Sequence, residues 1–250
     1  MMALRIACDL DGTVADMDAA LQREARRLFG PDVDLHAAAT RPMESAEDVE
    51  GQLATGEGGA DDPAPVEQVP AARSLTRSEL RRLWAHVGKV DNFWRSLGEI
   101  EPGAVARLSA LAARFQWEVL FLTQRPPSAG ETAQVQSQRW LHAHGFEFPS
   151  VFVMNGSRGR VAQALSLDAV IDDRPENCLD VVTDSKATPF LVWRLRRDAG
   201  PPGVRHTRIQ PVYSMGEVLD RLEAMTAERA APKTIIDRVK TAMGLTSSRV

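Results

Sequence analysis

The stretch Asp9-Leu10-Asp11-Gly12-Thr13 ends an apolar run, Ile6-Ala7-Cys8, with two carboxylates one residue apart. Aspartate is depleted in strands, and neighbouring carboxylates raise one another's pKa, so a cation is expected beside them. Two further apolar runs stop the same way, Phe121-Leu122 at Thr123 and Ala169-Val170-Ile171 at Asp172-Asp173. Asp9, Asp11, Asp172, Asp173 and Thr123 brought to one crevice, with no His or Cys among them, make an all-oxygen donor set suited to a hard cation such as Mg2+. In the run Gly156-Ser157-Arg158-Gly159-Arg160, either arginine is placed to hold the free oxygens of a phosphoryl group, with the Thr123 hydroxyl beside it. Such a set permits a carboxylate to attack phosphorus and form an aspartyl-phosphate, while a second Asp moves the proton.

The elements that must position these residues follow from the hydrophobic pattern. Residues 4–10 read as a buried strand, and Val14, Met17, Leu21, Leu28 and Phe29 keep helical spacing until Gly30-Pro31. Residues 40–73 are rich in Gly, Pro and acid and read as a mobile loop. Thr76-Arg77-Ser78-Glu79 is a capping box that opens a helix ended by Gly88. From Pro102 onward short apolar strands (117–123, 151–154, 169–173, 190–195) alternate with helices (from 102, 131–144, 159–166, from 175 and 215–230). That alternation predicts an α/β fold, a Rossmann-like parallel sheet with helices on both faces, and such sheets bind ligands at the carboxyl ends of their strands. Asp9, Thr123 and Asp172-Asp173 all fall there.

The composition is that of a soluble globular chain: 250 residues, 44% apolar, 26% charged, formal charge -4. The charge argues against a partner that is a nucleic-acid polymer or an anionic membrane, and there is no apolar run of spanning length. Cys8 and Cys178 sit inside core elements and read as reduced, packed residues of a cytoplasmic protein. The five histidines, at 36, 86, 142, 144 and 206, have no metal-ligand grouping. Arg194, Arg196 and Arg197 read as a solvated strand end.

"DLDGT" at 9–13, "FLT" at 121–123, "GSRGR" at 156–160 and "IDDRPEN" at 171–177 resemble, in order and spacing, the four motifs of haloacid-dehalogenase-like phosphatases. Within that superfamily, "NFWRSLGEIEPGAVARL", "LFLTQRP" and "IDDRPEN" are similar to the 5'-deoxyribonucleotidase branch and its bacterial relatives. The resemblance implies Asp9 as nucleophile and metal ligand. It implies Asp11 as acid and base, binding metal through its backbone carbonyl, and Thr123 as a phosphoryl hydrogen-bond donor. Asp173 is the expected last ligand of Mg2+, with Asp172 beside it. Two departures stand out. The usual motif lysine is replaced by Arg158 or Arg160, of which Arg158 is favoured by the glycine that follows it. Thr123 is followed by Gln124-Arg125-Pro126 where the animal nucleotidases have Ser-Pro.

The resemblance also implies a core of residues 1–13 and 101–230 with an inserted helical cap at 14–100. Phe93 and Trp94, just before the chain returns to the core, fall where that branch sets aromatics against a base, and Gln124, Arg125 and Arg160 are further substrate-contact candidates. Trp84 reads as a packed cap residue. The expected activity is Mg2+-dependent hydrolysis of a small phosphorylated substrate, a nucleoside 5'-monophosphate or similar ester. The alternatives are a phosphotransferase and a metal- or phosphate-binding protein of the same fold with little or no turnover. At 231–250, Ile235, Ile236, Val239 and Met243 stripe a helical tail that docks on the core or contacts a partner.

Overall fold

The computed structural model describes residues 3–35, 73–194, 204 and 207–230. Nearly all of the acidic loop at 40–73 and the whole tail at 231–250 lie outside the described residues, as do His36, Arg196, Arg197 and His206.

Six strands form one parallel sheet: β1 (Arg5–Asp9), β4 (Glu118–Thr123), β5 (Ser150–Val153), β6 (Ala169–Asp172), β7 (Thr188–Val192) and β8 (Gln210–Val212). Their order is β5-β4-β1-β6-β7-β8, with every neighbouring pair parallel. The strand carrying Asp9 is therefore flanked by those ending in Thr123 and Asp172, and the three carboxyl ends face one crevice. β8, a three-residue edge strand holding Pro211, has no counterpart in the sequence reading. Proline breaks a ladder and is tolerated at such an edge.

Alternation along the strands explains the two covered faces. Ala7, Leu122 and Val170 point to a cluster with Ala162 of α5 (Arg158–Ala164) and Val181 of α6 (Pro175–Asp184). Ile6, Cys8, Phe121 and Ile171 point the other way. There they meet α3 (Ala104–Phe115), α4 (Ala133–Ala143) and α7 (Met215–Ala230) through Leu108, Trp140 and Leu219. Cys8 and Cys178 are free and buried. No helix among the described residues is long and apolar enough to cross a membrane.

The segment between β1 and α3 begins differently from the helix expected at Val14. The Leu10 carbonyl accepts from the amides of Val14 (2.9 Å) and Ala15 (2.7 Å), closing a tight loop. Ala15–Asp16 (β2) then pairs antiparallel with Gly98–Glu99 (β3), joining the two ends of the segment in a short stem. Above the stem stand α1 (Met17–Phe29), capped by the Asp16 carboxylate, and α2 (Arg77–Val87), opened by the expected Thr76–Glu79 capping box. The helices are pinned together by a 2.9 Å contact between His86 Nε2 and Glu24. Ala20, Leu21, Leu83, Phe93 and Trp94 belong to the same apolar cluster as Ile6 and Phe121, so this segment and the sheet share one core.

The approach of α5 to α6 depends on Gly159. A Cβ there would lie 2.0 Å from the Asp180 carbonyl oxygen. Gly159→Ala is expected to lower stability by about 1–3 kcal/mol through overpacking, measurable as a fall in Tm or in the urea midpoint. A variant as stable as the wild type would mean that the two helices separate freely.

Candidate active site

Asp9 ends β1 and is buried, and its Oδ1 accepts from Arg158 Nη2 at 2.7 Å. Arg158 is the first residue of α5 and only 2% exposed. Its Nε lies 3.6 Å from Asp172 Oδ2, and Nε and Nη1 are buried without a hydrogen-bond partner among the described residues. Arg160 points away: its side chain is exposed and it lines no part of the cavity beside Asp9. Of the two arginine candidates, the fold brings Arg158 to Asp9 and leaves Arg160 outside the cavity there, a correction to its reading as a substrate contact.

Asp11 lies on the loop beyond β1, where Gly12 turns the chain at φ +83°. A Cβ at Gly12 would fall 2.1 Å from an Asp173 carboxylate oxygen, so glycine is required both for the turn and for the approach of Asp173. The Asp11 carboxylate accepts from Thr123 Oγ1 (3.0 Å), from Arg125 Nε (3.0 Å to each oxygen) and from Arg125 Nη2 (2.7 Å). The Thr123 hydroxyl thus spends its only proton on Asp11. Arg125 Nη1 donates to Ser137 on α4 (2.9 Å), so every nitrogen of that buried guanidinium is used inside the protein. Arg125 borders the cavity over Asp9, as expected of a substrate contact, but no nitrogen of it is left to bind a ligand.

Asp172 is saturated by the Arg174 amide (2.9 Å) and by Asn177 Nδ2 (3.0 and 2.9 Å). Asp173 has a 3.5 Å contact from the Thr13 hydroxyl and is reached by no guanidinium hydrogen bond among the described residues. Among the described residues no group of three or more His, Cys, Asp or Glu side chains is gathered to hold a metal ion. Guanidinium, amide and hydroxyl donors engage the side chains of Asp11 and Asp172, which is compatible with the expected contact of Asp11 through its backbone carbonyl and with Asp172 standing beside the ion. Asp9 and Asp173 remain, and two carboxylates suffice for Mg2+, which keeps several waters and takes substrate phosphate oxygens.

The electrostatics agree with an unmet need for positive charge. Burial first, then the Asp172 charge, push Asp9 well above the usual carboxylate range, against the pull of Arg158. Burial likewise raises Asp172, opposed by its amide donors and Arg158. Asp173 is pushed up to about 7 by burial and then by Asp172.

A cavity of about 170 Å3 opens over Asp9, Asp11 and Arg158, bordered by Trp84, Gln124, Arg174 and Asn177. Phe93 and Trp94, expected to face a base, are 1% and 0% exposed. They pack edge to face at 5.0 Å, and the Arg125 guanidinium covers the Trp94 ring at 5.1 Å. Trp94 donates its indole N–H to the Pro126 carbonyl at 3.0 Å. Neither ring offers a free face for stacking, so the base-platform reading is corrected. Trp84, read as a packed cap residue, is the partly exposed aromatic at the cavity.

Arg194 is the residue that sequence reasoning missed. At the end of β7 it donates to the carbonyls of Gly12 (2.7 Å) and Thr13 (2.9 Å) and to Glu101 (2.7 Å), whose carboxylate also accepts from the Met215 amide at the start of α7 (2.9 Å). The strand-end rule that selects Asp9, Thr123 and Asp172 would have selected it once β7 was placed beside β6.

Because the Asp173 carboxyl is raised from 3.8 to about 7 on folding, the folded chain holds an extra proton between those values. The associated stability is fully present below about pH 4 and lost as pH rises through 7. Metal-free protein should melt at a lower temperature at pH 8 than at pH 5. Asp173→Asn should flatten that dependence by at most about 4 kcal/mol. An unchanged pH profile in the variant would place the titration elsewhere.

No protein-family model and no curated protein matches the chain. Among solved structures it is similar to a HAD family hydrolase from Deinococcus radiodurans R1 with bound phosphate and sodium, at 13% identity, covering 90% of this chain and 97% of that one, TM-score 0.48. It is similar to a HAD-superfamily hydrolase, subfamily IA, variant 1, from Geobacter sulfurreducens PCA, at 14% identity, covering 88% and 100%, TM-score 0.44. A HAD hydrolase, family IA, variant 3, from Entamoeba histolytica HM-1:IMSS is similar at 10% identity, covering 89% and 100%, TM-score 0.44. At these identities and scores the chemistry rests on the carboxylates and arginines themselves.

Proposed function

We propose that the chain is a phosphomonoester hydrolase of the haloacid-dehalogenase-like kind, working through an aspartyl-phosphate on Asp9. The observation that carries this reading is Arg158: a buried guanidinium beside Asp9, lining the cavity, with Nε and Nη1 unpartnered. Unspent buried N–H groups are costly, and an oxyanion in the cavity would satisfy Nη1, while Nε faces Asp172 at 3.6 Å.

In this reading Arg158 holds a phosphoryl oxygen through Nη1 while an Asp9 oxygen attacks phosphorus and the ester oxygen leaves. The Thr123 hydroxyl turns from Asp11 to a phosphoryl oxygen. Asp11 gives its proton to the leaving oxygen, then takes one from the water that cleaves phospho-Asp9, releasing phosphate. Both steps need the Arg125 grip on Asp11 to loosen, since both carboxylate oxygens now accept hydrogen bonds. Mg2+ held by Asp9, Asp173 and the Asp11 carbonyl would add positive charge at the phosphoryl oxygens. A nucleoside 5'-monophosphate is the finer substrate reading, supported by the sequence resemblance.

A second reading, phosphate binding without turnover, is favoured by that same grip on Asp11. Turnover of p-nitrophenyl phosphate separates the two. The hydrolase reading expects activity that EDTA removes and Mg2+ restores. Asp9→Asn should abolish it, and Arg158→Met should lower it about 100-fold or more, with partial recovery in Arg158→Lys. Binding of phosphate without metal-dependent turnover of any phosphomonoester would leave the binding reading.

A further inference from the structure

The cavity over Asp9, about 170 Å3, is smaller than the roughly 300–1,000 Å3 usual for small-molecule sites. The aromatic pair that would extend it is closed. A second cavity, of about 530 Å3, shares Gln124, Arg125 and Pro126, on the loop that follows β4, with the first. Its remaining walls are the first turn of α4 and the end of β5, so it too stands at strand carboxyl ends.

The chemistry of this second cavity is distinct. No carboxylate lines it, and its one charged residue, Arg125, is spent on Asp11 and Ser137. Pro126, Ala133 and Val153, the last 41% exposed, supply apolar surface. The side-chain amides of Gln124 and Asn155 line it too, and neither has a hydrogen bond among the described residues. Each amide offers a donor and an acceptor. Apolar walls with free amides and no net charge suit a neutral, flat heterocycle with hydrogen-bonding edges. An ionic group would find no counter-charge there.

We propose that this cavity is a subsite for an uncharged heterocycle of nucleobase type, the leaving-group end of a substrate whose phosphoryl group sits over Asp9. The ligand crosses the loop at Gln124. The subsite rests on the phosphoryl reading of the neighbouring cavity, and its test is arranged so that the two can fail separately.

The test compares kcat/KM for nucleoside 5'-monophosphates with that for glycerol 3-phosphate, in the wild type and in Asn155→Leu and Val153→Arg, both at exposed positions. The wild type is expected to favour the nucleotides at least tenfold. Each variant should lower that ratio about tenfold, the loss expected for a hydrogen bond or a blocked wall at this site. No wild-type preference, or a ratio unchanged in both variants, overturns the subsite and leaves the hydrolase reading standing. In parallel, adenosine and uridine are titrated into the protein and followed by amide shifts at Ala133 and Asn155. Shifts in a chain that turns over no ester keep the subsite and sink the hydrolase reading. Absence of both shifts and turnover sinks both.

Discussion

Asp9, Asp11, Asp172 and Asp173 crowd the head of one sheet, and folding has to pay for burying them. Arg158 and Arg125 answer that cost from different elements: the start of α5 and the loop after β4. Removing one partner of a buried ion pair typically costs about 3–5 kcal/mol, so neither of these elements can move independently of the carboxylates. The compensation is incomplete. Asp9 and Asp173 stay raised, and Nε and Nη1 of Arg158 have no hydrogen-bond partner among the described residues. A deficit of positive charge next to unsatisfied donors is what a phosphoryl group accompanied by a hard cation would resolve.

The arginines also tie distant parts of the chain to the site. Arg194 holds the Gly12–Thr13 backbone, and Glu101 passes its grip to the first turn of α7, so the loop carrying Asp11 is fixed from the end of β7, two strands away. Arg125 lies between Trp94 and Asp11, linking the 3-10 turn Phe93–Arg95 to the proposed acid. Motion of that turn would be felt at the Asp11 carboxylate. Glycine permits both close approaches on which the site depends, Gly12 under Asp173 and Gly159 against α6.

Much of the arrangement was legible because apolar runs ending in polar residues mark strand ends. Asp9, Thr123 and Asp172 were found this way, and the sheet order puts their strands side by side. The choice of Arg158 over Arg160 also followed from the sequence, although Gly159 serves helix packing rather than a loop. What was not legible was how the charges share partners. Asp11 and Arg125 are 114 residues apart, and no spacing rule relates them. Phe93 and Trp94 were read as a platform because the resembled branch sets aromatics there, with packing in the cap core as the alternative, and burial against α4 and Arg125 favours the alternative. Arg194 was dismissed because a basic strand end usually meets solvent, and β8, which pairs with β7, escaped notice.

The central claim is that Asp9 receives a phosphoryl group. Mixing the protein with p-nitrophenyl phosphate and Mg2+, quenching in acid and reducing with borohydride converts an aspartyl-phosphate to homoserine, which peptide mass spectrometry locates. The account predicts homoserine at position 9, dependent on substrate and missing at Asp11, Asp172 and Asp173. Steady turnover with residue 9 recovered only as aspartate, or reduction at another carboxylate, would contradict it.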